Sequence, residues 1–417
     1  MELMDSPRFI LYGIGGVYNY GCEAIVRGTV RILRREFPDC GITYFSRRPE
    51  EDRAALKDCP VHVVSRPPFR NTYVRTVLKV LLRRLGLPNH WILMEPLKPF
   101  NQNAVVISIG GDIFTLGKGP FPKYSRPEYL DTHFALARRK QPYVLWGASV
   151  GPFEAWPECV PTFRNFLQSL TLITVREPVT AAYLQGLGVS TNVVPVADPA
   201  FLMELKSNDE DVPSNPAGEP LIGVNLSPLS VDHIYGVGNY DKAIQVQTEF
   251  LTQVMNQTGA RLLLIPHVIC PGHTADDDVW YLRKIQEQMP AHLRHRVSML
   301  EPGLGAQRTK GAIARCDALL AARMHCAIAG VSSGTPTLFI AYSAKASGMC
   351  EFVYGHRDCC IRLDELAAPD TLARVADFWN RRLELKVVLK QRRPQLEAQS
   401  FRAGELLRQK LQQMNCR

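Results

Sequence analysis

The sequence predicts an α/β fold made of two doubly wound domains in tandem. In the first half of the chain, short apolar runs that end at turn residues alternate with helical stretches, a pattern typical of a parallel sheet covered by helices. A polar stretch rich in Pro, Ser and Asn interrupts this alternation at residues 206–220, and the same pattern then restarts. With 417 residues, the chain is long enough for each domain to bury a core of its own.

The predicted N-terminal domain covers residues 1–205. Its first strand, at residues 8–12, runs into a glycine turn, and helical periodicity follows from Glu23 to Leu33. The other strands of this domain are predicted at residues 42–45, 61–64, 104–109, 143–146, 172–175 and 193–196. Because helical stretches lie between several of these runs, we expect one parallel sheet with helices on both faces.

Residues 206–220 are a linker by composition, and the predicted C-terminal domain covers residues 221–417. Its strands are predicted at residues 221–226, 261–265, 297–300, 318–321 and 337–341. A last helix is predicted from Pro394, and one face of it carries Leu396, Ala403, Leu407, Leu411 and Met414. Open α/β sheets bind ligands at the carboxyl ends of their strands, so we expect the two domains to face each other across a ligand-binding cleft.

The overall composition is that of a folded protein. Apolar residues make up 46% and charged residues 21% of the chain, which excludes disordered, collagen-like and fibrous classes. No stretch of about 18 apolar residues occurs and the first apolar run lacks a basic leader, so neither a membrane-spanning helix nor a signal peptide is expected. The eleven cysteines are an odd number without a C-x-x-C pair, which favours reduced thiols, no zinc site and a cytoplasmic location.

The net charge of +9 is concentrated near the start of the chain. Between Arg27 and Arg84 there are fourteen Lys or Arg and six Asp or Glu, so this window holds eight of the nine excess positive charges. Such a surface either meets an anionic partner or is an ordinary solvated basic face. Nucleic acid is not an expected partner, because no binding motif accompanies the charge and aromatic residues are not interleaved with it.

Within this window, residues 69–87 have the pattern of a helix that lies in a membrane interface. Read as a helix, one face carries Val74, Val77, Leu78, Leu81 and Leu85, and the flank carries Arg75, Lys79 and Arg83. One interpretation is peripheral binding to an anionic membrane surface. The alternative is an ordinary buried crossover helix with solvated basic edges.

The segment from Ala321 to Lys345 is the most informative part of the sequence. A buried strand leads to Arg323 and His325, a short helix follows and stops at Gly334, and the next strand leads to Tyr342 and Lys345 at the same sheet edge. Cationic side chains and helix amides that converge in this way suit a small, densely anionic ligand. The alternative is that Arg323 and His325 only cap and pair locally.

Arg176 offers a second cation at a strand end. It follows the apolar run at residues 172–175, and Pro178 is well placed to start the next helix. One interpretation places Arg176 opposite Arg323 across the cleft. The other is an ion pair between Arg176 and Glu177 or another acid.

Three further turns hold candidate site residues. Asn19, Gly21 and Glu23 lead into the first helix with a spacing that matches neither a dinucleotide fingerprint nor a Walker loop. Glu23 either stabilises the helix dipole or bonds a substrate hydroxyl, as a base or as an acceptor. Asp112 follows a strand-end Gly-Gly turn that is not a metal motif. His267 ends a strand and either points into the cleft or is structural, and the acids at residues 276–278 open the next helix and are interpreted as its cap.

Taken together, these segments resemble the polysaccharide pyruvyltransferase family over almost the whole chain. The segments that carry the resemblance are N-Y-G-C-E-A-I from Asn19, G-G-D at 110–112, T-V-R-E-P at 174–178, D-P-A-F-L at 198–202, I-P-H at 265–267, R-M-H at 323–325, G-T-P and A-Y-S-A-K. The resemblance implies a fold of the GT-B glycosyltransferase type. It also implies transfer of pyruvate from phosphoenolpyruvate onto two hydroxyls of a sugar, as a cyclic ketal and without a cofactor.

Residue by residue, Arg176, Arg323 and His325 match donor-binding positions of the family. Met324 and Lys345, at the same sheet edge as Arg323, are predicted as further substrate-binding residues. It implies a sugar or a lipid-linked oligosaccharide as acceptor, on the side of the N-terminal domain. Cys22 departs from the family pattern, in which many bacterial members carry an acid, and this leaves the acceptor preference open.

The charge reasoning and the resemblance agree, since phosphoenolpyruvate carries a carboxylate and a phosphate monoester, about −3 in total. General acid–base catalysis and anion stabilisation are the functions that such a transfer needs. Two alternatives stay open: a nucleotide-sugar glycosyltransferase on the same fold, and a non-catalytic glycan-binding protein.

Overall fold

The computed structural model describes residues 6–67, 72–85, 97–100, 103–115, 128–139, 141–154, 157–213 and 218–415. It divides into two compact units: unit 1 is Met1–Gly16, Val30–Asp198 and Phe401–Arg417, and unit 2 is Val17–Thr29 and Pro199–Ser400. The two units are defined by the contacts within each of them, whereas the domain boundaries predicted at residues 205 and 221 were defined by the composition of the sequence. Two helices, Tyr20–Glu36 and Arg382–Asn415, contribute residues to both units.

Unit 1 contains a seven-stranded parallel sheet. Its strands are β1 (Arg8–Tyr12), β2 (Gly41–Ser46), β3 (His62–Ser65), β4 (Ala104–Ile109), β5 (Tyr143–Ala148), β6 (Leu172–Val175) and β7 (Val193–Pro195), in the order β3-β2-β1-β4-β5-β6-β7. In this register Ile10 lies opposite Thr43 on one side and Val106 on the other. The chain order reverses between β1 and β4, which makes their carboxyl ends the topological switch point of the sheet.

Helices cover this sheet. They are α1 (Tyr20–Glu36), α2 (Pro49–Ala55), α3 (Thr72–Arg84), α4 (Glu128–Ala137), α5 (Val160–Ser169) and α6 (Pro178–Gly186). Strands β4 and β5 are buried at every position, as expected for central strands packed on both faces. The core between strands and helices is aromatic, with Phe114, Phe134, Phe163 and Phe166 in contact.

Unit 2 repeats this plan with six parallel strands. They are β8 (Leu221–Asn225), β9 (Arg261–Leu264), β10 (Val297–Met299), β11 (Ala318–Ala321), β12 (Thr337–Ala341) and β13 (Cys360–Arg362), in the order β10-β9-β8-β11-β12-β13. The switch point of this sheet lies between β8 and β11. Strand β13 was not predicted, since its three residues are too few to show a period. The predicted fold class, two doubly wound α/β domains, is confirmed by these two sheets.

The helices of unit 2 connect these strands and follow them. They are α7 (Pro228–Tyr235), α8 (Tyr240–Thr258), α9 (Asp278–Gln288), α10 (Ala291–Arg294), α11 (Ala306–Ile313), α12 (Met324–Ser333), α13 (Ala344–Tyr354), α14 (Pro369–Asn380) and α15 (Arg382–Asn415). Helix α12 ends at Gly334 with φ +87°, a left-handed conformation that glycine adopts without steric cost. Within the described residues, no helix combines the length and the apolarity needed to cross a membrane.

The terminal helix is longer than the sequence predicted. It begins at Arg382 rather than at Pro394, and the proline lies inside it. Leu385 and Leu389 are buried and extend the apolar face of the predicted part by two turns, so burial outweighs the proline's missing N–H group. Met414, predicted on the buried face, is 42% exposed near the end of the helix.

The predicted linker at residues 206–220 is described except for residues 214–217. Its first part packs within unit 2, because the Lys206 N–H group donates to the Gln307 carbonyl at 3.0 Å and Arg308 Nε donates to Asp211 Oδ2 at 3.0 Å. The first part of the predicted linker is therefore polar in composition and also held by hydrogen bonds within unit 2.

Candidate functional site

The switch point of unit 2 is organised by Asn225, the last residue of β8. The side chain of Asn225 is fully buried, and its Oδ1 accepts a hydrogen bond from the Arg323 N–H group at 3.0 Å. Its Nδ2 donates to the Ile265 carbonyl at 2.9 Å, just after β9. One amide thus holds the carboxyl ends of three neighbouring strands in register, and it places Arg323 immediately before helix α12.

The guanidinium of Arg323 is almost buried and lies against two carboxylates. Its Nε donates to both oxygens of Asp278 at 2.9 Å, and its Nη2 donates to Asp276 Oδ1 at 3.0 Å. The remaining nitrogen, Nη1, has no hydrogen bond in the part of the chain that the structure describes. Burial disfavours the charged form, but Asp278 and Asp276 outweigh this and raise the pKa of Arg323, so the side chain stays charged. Nη1 is therefore the atom of Arg323 that is available to a ligand.

Asp278 connects Arg323 to His267. The Asp278 carboxylate is fully buried, and its Oδ2 also accepts hydrogen bonds from the N–H groups of His267 at 2.9 Å and Val268 at 3.1 Å. Its neighbour Asp277 caps helix α9, since Asp277 Oδ1 accepts from the Val279 N–H group at 3.2 Å. The acids at 276–278 were predicted to cap this helix. The structure assigns the cap to Asp277 and the contacts with Arg323 to Asp276 and Asp278.

His267 is a buried, neutral imidazole beside Arg323 and His325. It is 2% exposed, and among the described residues its Nδ1 has no hydrogen-bond partner. Burial lowers the pKa of His267 well below its ordinary value, and the neighbouring His325 and Arg323 lower it further. His325 begins helix α12 with Met324 and is partly buried. The structure thus brings together three of the predicted site residues, Arg323, His325 and His267.

Two buried histidines are expected to make the stability of the protein depend on pH. Burial lowers the pKa of His133, in the core of unit 1, to about 3, and it lowers that of His267 as well. Both stay neutral in the folded chain below the unfolded pKa of about 6.5, so the unfolded state binds more protons as the pH falls. Each histidine is expected to lower the free energy of unfolding by about 2 kcal/mol when the pH falls from about 7 to about 5. Urea denaturation at the two pH values measures this loss.

The matched control is His133→Gln, which keeps a hydrogen-bonding side chain toward Tyr143 but cannot titrate in this range. Its loss between the two pH values should be about half that of the parent chain. Equal stability of the parent chain at both pH values would contradict the assignment of neutral buried histidines.

The segment at the start of α1 packs against this histidine pair within unit 2. The Tyr20 N–H group donates to the His267 carbonyl at 3.0 Å, and the Tyr20 ring contacts the His267 ring edge-on at 5.8 Å. Asn19 Oδ1 accepts from the Gly21 N–H group at 2.9 Å. A Cβ added at Gly21 would lie 2.6 Å from His325 Nδ1, so only glycine lets the helix approach His325 this closely. The predicted residues Asn19 and Gly21 therefore lie beside His325 and His267.

Glu23 is placed as a helix cap rather than facing an open space. It is 2% exposed, its Oε2 accepts from the Ala306 N–H group at 2.9 Å, and its Oε1 accepts from Arg27 Nε at 2.7 Å. Ala306 is the first residue of α11, so the carboxylate lies where the helix dipole is positive. The two interpretations of Glu23 were stabilisation of the dipole of its own helix and a bond to a substrate hydroxyl, whereas these contacts are with Arg27 and with the start of α11.

Tyr342 and Lys345 lie at the carboxyl end of β12 and the start of α13. The Tyr342 ring stacks on His233 at 5.1 Å, and its phenol is close enough to Arg323 to raise the pKa of that guanidinium slightly. Next to them is a cavity of about 400 Å³. The residues that line it include Tyr342, Ser343, Ala344, Ser347, Arg357 and Arg374. Of the residues predicted for the anion site, Tyr342 lines this cavity, whereas Arg323, His325 and Lys345 are not among its lining residues.

Arg176 belongs to unit 1 and is fully enclosed by acidic and polar groups there. Its Nη1 donates to Asp198 Oδ2 at 2.8 Å and its Nε donates to Ser149 Oγ at 3.1 Å, while Glu177 and Asp112 lie 3.5 and 3.7 Å away. Burial opposes the charge, but Asp198 above all raises the pKa of Arg176. Of the two interpretations of Arg176, the ion pair agrees with these contacts. The predicted residue Asp112 joins the same cluster, with its carboxylate more than half exposed.

Sequence reasoning missed Asn225, Asp198 and Tyr20 as members of these clusters. The sequence signal for Asn225 was a polar residue at the end of an apolar strand. Asp198 and Tyr20 lie in two of the segments that carry the family resemblance. Within the described residues, no group of three His, Cys, Asp or Glu side chains is arranged to hold a metal ion.

Two similarities in sequence connect this chain to known proteins. The sequence profile described as polysaccharide pyruvyl transferase matches residues 19–344. The amylovoran biosynthesis protein AmsJ of Erwinia amylovora is 25% identical over 376 residues, which cover 82% of this chain and 85% of that protein.

Two solved structures share the fold at low identity. UDP-GlcNAc 2-epimerase from Methanocaldococcus jannaschii gives a TM-score of 0.54 at 11% identity and covers 89% of this chain and 91% of its own. HepE from Anabaena, solved in complex with UDP-glucose, gives 0.54 at 11% identity and covers 99% of this chain and all of its own. These similarities show the GT-B-like fold alone. The profile match begins at Asn19, includes Arg323 and His325, and ends at Ala344, and the chain belongs to the polysaccharide pyruvyl transferase family.

Proposed function

We propose that this transferase moves pyruvate from phosphoenolpyruvate onto two hydroxyls of one sugar and forms a cyclic ketal. The observation that carries the proposal is the arrangement at the switch point of unit 2. There Arg323 is held by Asp278 with its Nη1 available, beside His325 and the neutral His267. Family membership supplies the class of reaction, and this site supplies the groups that the donor requires.

The charges near α12 suit phosphoenolpyruvate. The donor carries about three negative charges near neutral pH. Arg323 Nη1, the first N–H groups of α12 and the ammonium of Lys345 at the start of α13 are complementary to such an anion. Asp276 and Asp278 neutralise part of this positive charge. The site is therefore suited to bind phosphoenolpyruvate and still release the phosphate product.

The reaction needs one proton delivered to the donor and two removed from the acceptor. The C3 methylene of the donor gains a proton and becomes a methyl group, and C2 gains oxocarbenium character and bonds to the first sugar oxygen. The C2–O bond to phosphate then breaks, the second sugar oxygen bonds to C2, and the two hydroxyl protons balance the methyl proton and the proton on the released phosphate. General acid–base catalysis and stabilisation of the developing charges are the two contributions that the chain must make.

We assign these contributions to the residues around α12. His325 is the proposed proton donor and phosphate contact, Arg323 binds carboxylate or phosphate through Nη1, and Met324 contributes a backbone N–H group. Asn19 and Gly21 are proposed to position the substrate near His325, while Glu23 stabilises the start of α11. The donor role that the resemblance implies for Arg176 stays a prediction, as does an acceptor role for Asp112.

The acceptor is proposed to be a sugar in a polysaccharide or in its lipid-linked precursor, in agreement with the biosynthetic role in the name of the amylovoran relative. A cytoplasmic location is part of this proposal, because phosphoenolpyruvate is a metabolite of the cell interior. The direct test is mass spectrometry of candidate lipid-linked sugars incubated with phosphoenolpyruvate and the protein. A product heavier by one pyruvyl ketal, formed together with one equivalent of phosphate, supports the proposal, and transfer of a sugar instead overturns it.

A thermal-shift comparison tests donor binding without an acceptor. Phosphoenolpyruvate at about 100 times its dissociation constant is expected to stabilise the folded chain by about 2.7 kcal/mol, because it binds the native state only. UDP-glucose and UDP-N-acetylglucosamine are expected to give no shift. Inorganic phosphate is the control for simple anion binding and should give a smaller shift. A shift with a nucleotide sugar and none with phosphoenolpyruvate would contradict the proposed donor.

A further inference from the structure

Helix α3 in unit 1 presents an apolar face to solvent. Thirteen large apolar residues are exposed in the described part of the chain, and six of them lie on this helix or next to it. They are Tyr73 (79% exposed), Val74 (56%), Val77 (51%), Leu78 (37%), Leu81 (51%) and Leu85 (62%). Their spacing of three and four residues puts them on one side of the helix, so they form a continuous surface, the α3 apolar face.

The orientation of α3 rules out one of the two interpretations of this segment. A buried crossover helix would turn its apolar side toward the core, whereas these side chains are exposed and Lys79 is the buried one, at 2% exposure. Lys79 was predicted on the flank and lies instead on the protein side. Of the other two predicted flank residues, Arg75 is partly buried, and the side chain of Arg83 lies outside the described set. Residues 69–71, 86 and 87 of the predicted segment also lie outside it.

Charge and chemistry indicate what covers this face. The helix T-Y-V-R-T-V-L-K-V-L-L-R-R contains four basic residues and no acidic one, within the window that holds most of the excess charge of the chain. A second copy of the chain packed face to face would bring two such basic helices side by side, where they repel. The four residues at the centre of the face, Val74, Val77, Leu78 and Leu81, have apolar side chains, whereas protein interfaces carry about one hydrogen bond per 100–200 Å².

We propose that α3 docks the protein on an anionic lipid surface, with the α3 apolar face inserted at the headgroup boundary. A bilayer surface supplies apolar volume and negative charge together, which this helix requires. The thirteen residues of α3 span about 20 Å, too short to cross a hydrocarbon core of about 30 Å, so the helix lies in the interface. Tyr73 and the exposed Arg84, at opposite ends of α3, are residue types that anchor such helices at the headgroups. The proposal does not depend on the reaction that the chain catalyses.

Co-sedimentation with vesicles tests the docking. The purified chain is expected to pellet with phosphatidylcholine/phosphatidylglycerol vesicles at about 0.1 M salt, and at least tenfold less with phosphatidylcholine alone or at about 1 M salt. The substitution Arg84→Glu should weaken binding to the anionic vesicles about 30-fold, because each basic residue near the surface contributes about fivefold. The substitution Leu81→Glu should weaken it by about 30-fold or more, since it removes apolar volume and adds a negative charge.

Two matched controls lie on the exposed side of α15. Val387 is 55% exposed and Lys386 is exposed, so Val387→Glu and Lys386→Glu repeat the same chemical changes outside α3. Both should leave vesicle binding unchanged, and all four variants should keep the melting temperature of the parent chain, because the altered side chains are exposed. Pyruvyl transfer to a water-soluble acceptor without vesicles should be the same in all of them, which separates failure of this proposal from failure of the proposed function.

Three results would overturn the proposal. The first is no pelleting with anionic vesicles at low salt, and the second is equal binding by the parent chain and by the Leu81→Glu and Arg84→Glu variants. The third is a dimer, measured by light scattering, that Leu81→Glu dissociates, since this would show that a second copy covers the face.

Discussion

Replacement of Arg323 by alanine is expected to slow pyruvyl transfer strongly and to lower the free energy of unfolding by about 3–5 kcal/mol. The loss of stability follows from burial: the Asp278 carboxylate, which is fully buried, would lose its bidentate partner while remaining out of contact with water. The loss of activity follows from the missing Nη1 donor and is expected to be on the order of 10²–10³ in kcat/KM for phosphoenolpyruvate. Urea denaturation and initial-rate kinetics measure the two effects separately.

Arg323→Lys is the matched variant for this prediction. A lysine keeps a positive charge next to Asp278 but lacks the planar fork that contacts Asp278 and a ligand at once. The Arg323→Lys variant should recover most of the lost stability. Its kcat/KM should still be reduced, because the transition state loses about 2 kcal/mol of stabilisation or more. If Arg323→Ala folds as stably as the parent chain, the buried ion pair has been assigned wrongly. If Arg323→Lys is fully active, Nη1 is not the donor contact.

Replacement of His325 by alanine is expected to reduce turnover on the order of 10²–10⁴-fold, the range typical of a lost general acid. The expected change in unfolding free energy is below about 1 kcal/mol, because His325 is only partly buried at the first turn of α12. Rate measurements over a range of pH, combined with denaturation of the same samples, distinguish the two effects. A variant that unfolds easily and keeps its activity per folded molecule would show that His325 is structural.

The Gly21→Ala substitution probes the same imidazole without removing it. A Cβ at this position would lie 2.6 Å from His325 Nδ1 and 2.7 Å from its Cγ, so the ring must move. We expect turnover to fall while binding of phosphoenolpyruvate, measured by thermal shift, is largely kept. Cys22→Ala, one residue further along α1, is the control because Cys22 is only partly buried and the change adds no atoms. Normal turnover in Gly21→Ala would contradict the assignment of His325 to the reaction.

The strands were predictable from the sequence because parallel strands buried on both faces are continuous apolar runs. Five predicted strands coincide with observed ones, and the others differ by one or two residues at their ends. The five are the runs at residues 8–12, 104–109, 172–175, 318–321 and 337–341, which are β1, β4, β6, β11 and β12. The strand β13 and the first twelve residues of α15 were not predicted. Three residues cannot show a period, and Pro394 is a signal for a helix start that burial of Leu385 and Leu389 overrides.

The candidate site was predictable only as a set of residue types at strand ends. The sequence placed Arg323, His325 and His267 at carboxyl ends of strands or just after them, and strand order brings those ends together in unit 2. The sequence did not distinguish Asp277, which caps α9, from Asp278, which holds Arg323. Both are aspartates, and only the folded chain shows the direction in which each side chain points.

What the sequence by itself determined is the class of fold and the family, since both depend on the order of apolar runs and of short motifs along the chain. What only the tertiary structure decided is the partner of each charged group. Arg176 pairs with Asp198, Glu23 bonds to the start of α11, and α3 turns its apolar face outward while Lys79 is buried. The physical reason is that a buried charge must meet an opposite charge or a polar group within about 4 Å, and residues distant in sequence supply that group.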